Sequence, residues 1–137
     1  MSFSPYLNFR GTCREAMTTY ADIFGATDLQ IMPFGDMPPE AAPPGINPDL
    51  VMHSQFSAGP GAPLLASDVP DHWEMTTQNA TVFHGATDAA RAQAIFDRLA
   101  VGGSVTMPLG PTFWSPAFGM LTDKFGTAWM ISLAAPA

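Results

Sequence analysis

Positive charge is scarce in this chain and nowhere clustered. Arg10, Arg14, Arg91, Arg98 and Lys124 are the whole basic complement of 137 residues, against 12 acidic ones, for a formal net charge of −7. Phosphate binding needs a concentrated basic footprint, so nucleic acid is excluded as a partner. Cysteine is represented by Cys13 alone, which rules out an internal disulfide and fits a reducing compartment. No run approaches the roughly 20 apolar residues of a membrane span, and the opening MSFSPYLNF lacks the basic and long apolar regions of a signal peptide. A cytoplasmic protein with no membrane partner is expected. Charged residues make up only 12% of the chain and hydrophobic ones 47%, so part of the surface is apolar, and a homodimer interface would use it.

What is present reads as alternating strands and helices. Pro5 to Phe9 has strand character and ends at Arg10-Gly11. Thr12-Cys-Arg-Glu15 fits a capping box, and Cys13, Ala16, Met17, Tyr20 and Phe24 follow at helical spacing until Gly25 stops the helix. Thr27 to Phe34 is a second strand. Residues 36–49 carry Pro38, Pro39, Pro43, Pro44 and Pro48, a density that forbids regular ladders and leaves a stiff lid or interface arm. Leu50 to Phe56 alternates, with Val51, His53 and Gln55 on one face and Met52, Ser54 and Phe56 on the other. Ala58 to Gly61 turns the chain, Ala62 to Ser67 is the hairpin partner, and Asp68 to Gln78 crosses to the second half.

The second half repeats the first. Thr81 to His84 is strand-like, Thr87-Asp88 offers helix caps, and Ala92, Ile95, Phe96 and Leu99 form a helical stripe ended by Gly102-Gly103, with a strand from Ser104 to Leu109 after it. One offset pairs Leu7 with Val82, Thr12 with Thr87, Phe24 with Leu99, and Met32-Pro-Phe-Gly35 with Met107-Pro-Leu-Gly110. That is a duplication signal, and each half reads β-α-β-β-β. The most specific stretch, Thr112 to Leu133, reads as two pocket-facing strands joined at Asp-Lys-Phe-Gly126, where Gly126 supplies a positive φ.

The chain resembles the vicinal oxygen chelate superfamily, the glyoxalase, bleomycin-resistance and dioxygenase fold, and within it the PhnB-like group often labelled 3-demethylubiquinone-9 3-methyltransferase. The residues that carry the resemblance include Ser4 to Phe9, Cys13-Arg-Glu-Ala16, Phe24-Gly-Ala26, Phe34 to Pro38, Val51-Met-His53, Ala66-Ser-Asp68, Thr112-Phe-Trp114 and Thr122 to Gly126 with Trp129-Met-Ile131. The resemblance implies an α+β protein, one domain over residues 1–137, made of two βαβββ modules at about 4–68 and 79–134. Their curved mixed sheets would enclose a cup-shaped pocket, usually in a dimer.

Catalytic branches of that superfamily hold a divalent metal with His, Gln or Glu on the first and last strands of the modules. Here those positions fall at Pro5 or Tyr6, at Thr81 or Val82, and at Met130, so no metal and no cofactor is expected; the alternative ligand set is His53, Gln55 and His84. Each histidine also has a plain reading: His53 as a half-buried strand residue, His84 as a structural one, His72 as solvated. Cys13 sits on the apolar stripe and reads as a buried structural thiol. Asp36, Asp68 and Asp123 end strands and would satisfy turn amides. Tyr6, His53, Gln55, Phe113, Trp114, Phe118 and Trp129 are the pocket candidates, although aromatic residues at such positions also serve as plain core or dimer contacts. The methyltransferase label lacks its usual chemistry: Gly59 with Gly61 and Gly102 with Gly103 lie in a hairpin turn and at a helix stop, not in a glycine-rich loop between a parallel strand and a helix. The expectation is a protein that binds a small, partly aromatic molecule in the inter-module cup, with a metal-dependent enzyme as the alternative.

Overall fold

The computed structural model describes residues 3–74 and 80–134. Met1–Gln78 and Asn79–Ala137 are two compact units. The crossover read over Asp68 to Gln78 and the second module's start at 79 run into residues 75–79, which lie outside the described residues.

The first unit runs β1 (Tyr6–Phe9), α1 (Cys13–Phe24), β2 (Gln30–Pro33), β3 (Val51–Phe56) and β4 (Leu64–Asp68); the second runs β5 (Thr81–Ala86), α2 (Ala89–Ala100), β6 (Ser104–Gly110), β7 (Ala117–Thr122) and β8 (Ala128–Leu133). The sheets are ordered β1-β4-β3-β2 and β5-β8-β7-β6. In each, the outer pair β1 with β4, or β5 with β8, is parallel, and the other ladders are antiparallel. Identical topology in both units is what the MPxG repeat predicts.

Each helix covers one face of its own sheet and leaves the other open. On α1 the buried residues are Cys13, Ala16, Met17, Tyr20, Ala21, Ile23 and Phe24, the apolar stripe read from the sequence. Gly25 then adopts φ 70°, and its amide reaches back to the carbonyls of Ala21 and Asp22, a left-handed stop that a Cβ would resist. On α2 the buried set is Ala92, Ile95, Phe96 and Leu99.

Three local expectations are corrected. The Thr12 side chain makes no capping bond. The start of α1 is capped from 55 residues away instead: Asp68 Oδ1 accepts the amides of Gly11 at 2.9 Å and Cys13 at 3.0 Å, and Oδ2 accepts that of Val51 at 2.9 Å. A carboxylate is a stronger acceptor than a hydroxyl, which is why it displaces the local cap. Secondly, β3 does not alternate throughout. Met32 pairs with His53 and Pro33 with Val51, so one extra residue, Met52, is inserted, and Val51 turns to the helix side with Ser54 and Phe56, away from His53 and Gln55. Thirdly, the strand expected to open at Thr112 begins at Ala117. Thr112 to Ser115 is a bend closed by the Thr112 amide on the Ser115 carbonyl.

Candidate functional site

The open face of the first sheet carries a line of polar side chains among apolar ones. Leu7 and Phe9 of β1 are buried under α1, so Tyr6 and Asn8 point the opposite way. Tyr6 extends over β4 toward β3, its ring centroid 5.8 Å from that of His53, with Tyr6 Oη 3.1 Å from His53 Nδ1. His53 Nε2 is in turn 3.1 Å from Gln55 Oε1. The three form one hydrogen-bonded chain across the sheet.

Beside that chain lies a cavity of about 450 Å³. Its floor is Asn8, Ser67 and Met52, and Asn8 pairs with Ser67 across the parallel ladder. Phe34, just after β2, and Met37 and Pro43 of the proline-rich arm form one wall, and Trp73 and Glu74 of the crossover form another. The arm is therefore neither a linker nor a free tail. It is tied down where Gly35 donates its amide to the Pro48 carbonyl at 3.0 Å and Phe34 to Leu50 at 2.9 Å. Arg10 holds the crossover, donating through Nη1 to the carbonyls of Pro70 and Asp71 and through Nη2 to that of Trp73, at 3.0, 3.1 and 3.0 Å. Asn8, Ser67, Met52 and Trp73 are not among the pocket candidates read from the sequence. Strand parity places the first two beside Tyr6, but the bulge that turns Met52 has no sequence signature.

In the second module the open face is apolar. Phe83, Met130, Met120 and Met107 pair in one row, one from each strand, and Phe83 is 61% exposed. Phe113, Trp114 and Phe118 stack edge to face with centroids 4.7 and 5.4 Å apart, and Phe113 remains 96% exposed. Trp129 does not stack with them. It pairs with Val82 and Leu121, is only 2% exposed, and donates its indole N–H to Asp123 Oδ2 at 2.8 Å. Alternation shows that Trp129 and Met130 face opposite ways; only the position of α2 shows that Trp129 is the one in the core.

His84 is likewise on the helix-bearing side. It pairs with the fully buried Ile131, whose other partner Gly119 sits against Phe96 of α2. Burial, with Arg91 adding to it, lowers the His84 pKa from its ordinary value, so the ring is neutral at pH 7. His72 is exposed, edge-on to Trp73. Cys13 is fully buried, its Sγ 3.4 Å from Ser54 Oγ, and burial pushes the thiol up to about 11, which makes it an inert core residue.

The open faces also test the metal implied by the fold. The outward residues of the first and last strands are Tyr6 and Asn8, Leu65 and Ser67, Thr81 and Phe83, Met130 and Ser132. None is an imidazole or a carboxylate. Among the described residues, no group of three or more His, Cys, Asp or Glu side chains could hold a metal ion. His53 and Gln55 bond to one another, and His84 faces the other side of a different sheet. The donor set does not fit a hard divalent cation.

No helix among the described residues is long and apolar enough to cross a membrane. The family described as 3-demethylubiquinone-9 3-methyltransferase matches residues 1–132. Protein YjdN of Escherichia coli K12 is 32% identical over 140 residues, covering 97% of this chain and 95% of its own length. The structure of PA1353 from Pseudomonas aeruginosa superposes with a TM-score of 0.86 at 41% identity, over 97% of each chain. That of the PhnB protein from Bacillus cereus gives 0.76 at 25% identity, over 98% of this chain and 100% of the other. A solved glyoxalase/bleomycin resistance protein/dioxygenase family enzyme from Burkholderia phytofirmans shares the fold at 11% identity, with a TM-score of 0.62. With the paired βαβββ modules, these similarities establish that the chain belongs to the PhnB-like 3-demethylubiquinone-9 3-methyltransferase family, built on the glyoxalase/bleomycin resistance/dioxygenase fold.

Proposed function

We propose that this protein binds a small, partly aromatic molecule without a metal, and that the first module supplies the binding site. The supporting observation is the cavity of about 450 Å³, which falls in the size range of small-ligand pockets and combines a few polar groups, Asn8 and Ser67 among them, with a mostly apolar lining. Asn8 and Ser67 would orient polar atoms of the ligand, while Met52, Met37, Phe34 and Trp73 would pack against its flat part. Methionine suits such a wall because its flexible, polarisable side chain adapts to different shapes.

The residues do not favour methyl transfer from a nucleotide-like donor. An anionic or ribose group is commonly held at a helix start that follows a strand. At α1 that position is filled by the chain's own Asp68, and at α2 by Asp88, whose Oδ1 accepts the Ala90 amide at 3.1 Å. Thermal denaturation with a panel of aromatic and quinone-like compounds tests the reading. A ligand present at about 100 times its Kd should stabilise the fold by about 2.7 kcal/mol. Ser67→Trp, which fills the floor, should abolish that shift. No stabilisation by any compound, or an undiminished shift in Ser67→Trp, counts against it.

The same reading includes a homodimer. The exposed Phe83, Met107 and Phe113 and the edge strands that end each four-stranded sheet support it, because few charges stand ready to shield them. Light scattering at micromolar concentration should give twice the chain mass, and a stable monomer there would exclude the dimer.

A further inference from the structure

The hydrogen-bonded chain on the open face of the first sheet has a direction. Gln55 presents its amide oxygen to His53 Nε2 at 3.1 Å, so that ring nitrogen carries the proton and donates it. Nδ1 of the neutral ring is then an acceptor, and the partner 3.1 Å away, the phenol of Tyr6, must be the donor. With its proton committed to His53, the Tyr6 oxygen offers lone pairs to whatever lies over the sheet. It accepts a hydrogen bond, and it has a base behind it. Asn8 lies two residues along the same strand face, about 7 Å away at the usual rise of a strand, and it is part of the cavity floor.

We propose that Tyr6, His53 and Gln55 form a proton relay that selects ligands bearing an acidic hydroxyl, such as an electron-poor phenol or a conjugated enol, and binds them as the oxyanion. This rests on the first module's being the ligand site. The ligand O–H bond breaks as its proton passes to Tyr6 Oη, while the Tyr6 O–H bond breaks as its own proton passes to His53 Nδ1. The electron pair of the first bond stays on the ligand oxygen, Tyr6 ends neutral, and the imidazolium keeps its Nε2–H on Gln55 Oε1. No oxidant, metal or further reactant enters.

Acidity sets the selectivity. A free imidazole titrates at about 6.5 and an ordinary phenol at about 10, so an unactivated phenol keeps its proton by more than three pH units. A hydroxyl whose own acidity approaches that of imidazole gives it up, and gains an ion pair bridged by the Tyr6 hydroxyl. Met32, paired with His53 across the β2–β3 ladder, faces the same side and carries no charge to compete for that proton.

The test uses the intact chain and two probes of nearly equal shape, 4-nitrophenol and its methyl ether 4-nitroanisole, at a pH equal to the free phenol's own pKa, where half of the free phenol is ionised and a free imidazole is still mostly neutral. The phenolate absorbs at longer wavelength than the phenol, so the ionisation state of the bound probe is read directly. The expected result is a phenol bound mainly as phenolate and at least roughly tenfold more tightly than the ether. Tyr6→Phe, which keeps the ring against His53, and His53→Ala should each erase both the phenolate band and the preference. Gln55→Glu, which favours the imidazolium, should increase the phenolate fraction, an effect that a purely structural role for residue 55 would not produce. If both probes bind equally, if the phenol binds in its neutral form, or if Tyr6→Phe keeps the phenolate band, the relay is overturned while ligand binding in the first module stands. If neither probe binds wild type, both are overturned.

Discussion

Replacing Asp68 with alanine should remove about 3–5 kcal/mol of folding free energy, a large share of what a domain of this size has to lose. Asp68 is 4% exposed, and its carboxylate accepts three backbone amides, from Gly11, Cys13 and Val51, which belong to the start of α1 and the start of β3. Alanine leaves the Cys13 and Val51 amides, both in buried residues, without an acceptor, at about 1–3 kcal/mol each. It also uncaps the first turn of α1, where negative charge complements the helix dipole. Asp68→Asn is the informative intermediate. One amide oxygen still serves Gly11 and Cys13, but an N–H₂ now meets the Val51 amide, donor against donor, so a loss of about 2 kcal/mol is expected. Urea unfolding of both variants checks the order. A loss below about 1 kcal/mol in Asp68→Ala would mean that water replaces the carboxylate at no cost, and the hub would not be one.

The second large effect is steric. A Cβ built on Gly119 would lie 2.7 Å from Phe96 Cε2 and 2.9 and 3.0 Å from the Leu109 Cα and N atoms. The Leu109 atoms are backbone, so no rotamer change relieves the contact. Gly119 is in β7, a strand flanked by β6 and β8, directly under α2, and the sheet can yield only by breaking its ladder or lifting the helix. Gly119→Ala should therefore cost about 3 kcal/mol, the upper part of the range for overpacking. Gly85→Ala is the control. Its Cβ would meet only Phe83 Cε1 at 3.6 Å, an ordinary contact, and its stability should stay within about 1 kcal/mol of wild type. Equal thermal midpoints for the two variants would show that the helix and sheet are not packed as closely as described.

These two positions also show what could be read from the residues alone. The helices were legible because their stripes are local: Cys13 to Phe24 and Ala92 to Leu99 repeat at 3.6 residues and bury as that period requires. The duplication was legible because Met-Pro-x-Gly recurs at a fixed offset, and both sheets have the same strand order. What failed was local reasoning applied to a distant partner. Thr12 and Glu15 have the right spacing for a capping box, yet the acceptor came from Asp68, and nothing within one turn of sequence reveals that. Period-two counting places Val51 beside His53, but a single inserted residue, Met52, turns it to the other face. For Trp129 and Met130, alternation yields two faces without saying which one the helix covers. Tyr6, His53 and Gln55 are brought together across three strands, whereas the cavity beside them depends on how the proline-rich arm folds back, and proline density forbids a ladder without specifying a path.

The division of each sheet into a helix side and an open side has a consequence for how such a protein changes over generations. Stability is concentrated on one face, where Ile131, Leu121 and Gly119 in one module, and Ala66, Phe56 and Val51 in the other, cannot be altered without disturbing a helix. The opposite faces have no such duty. Two copies of one ancestral unit could drift apart there without unfolding, and this chain records the result: the matched positions Asn8 and Phe83 are an amide in one copy and an aromatic in the other. A lineage can thus change the chemistry of those faces by substitutions that leave the helix-side contacts intact.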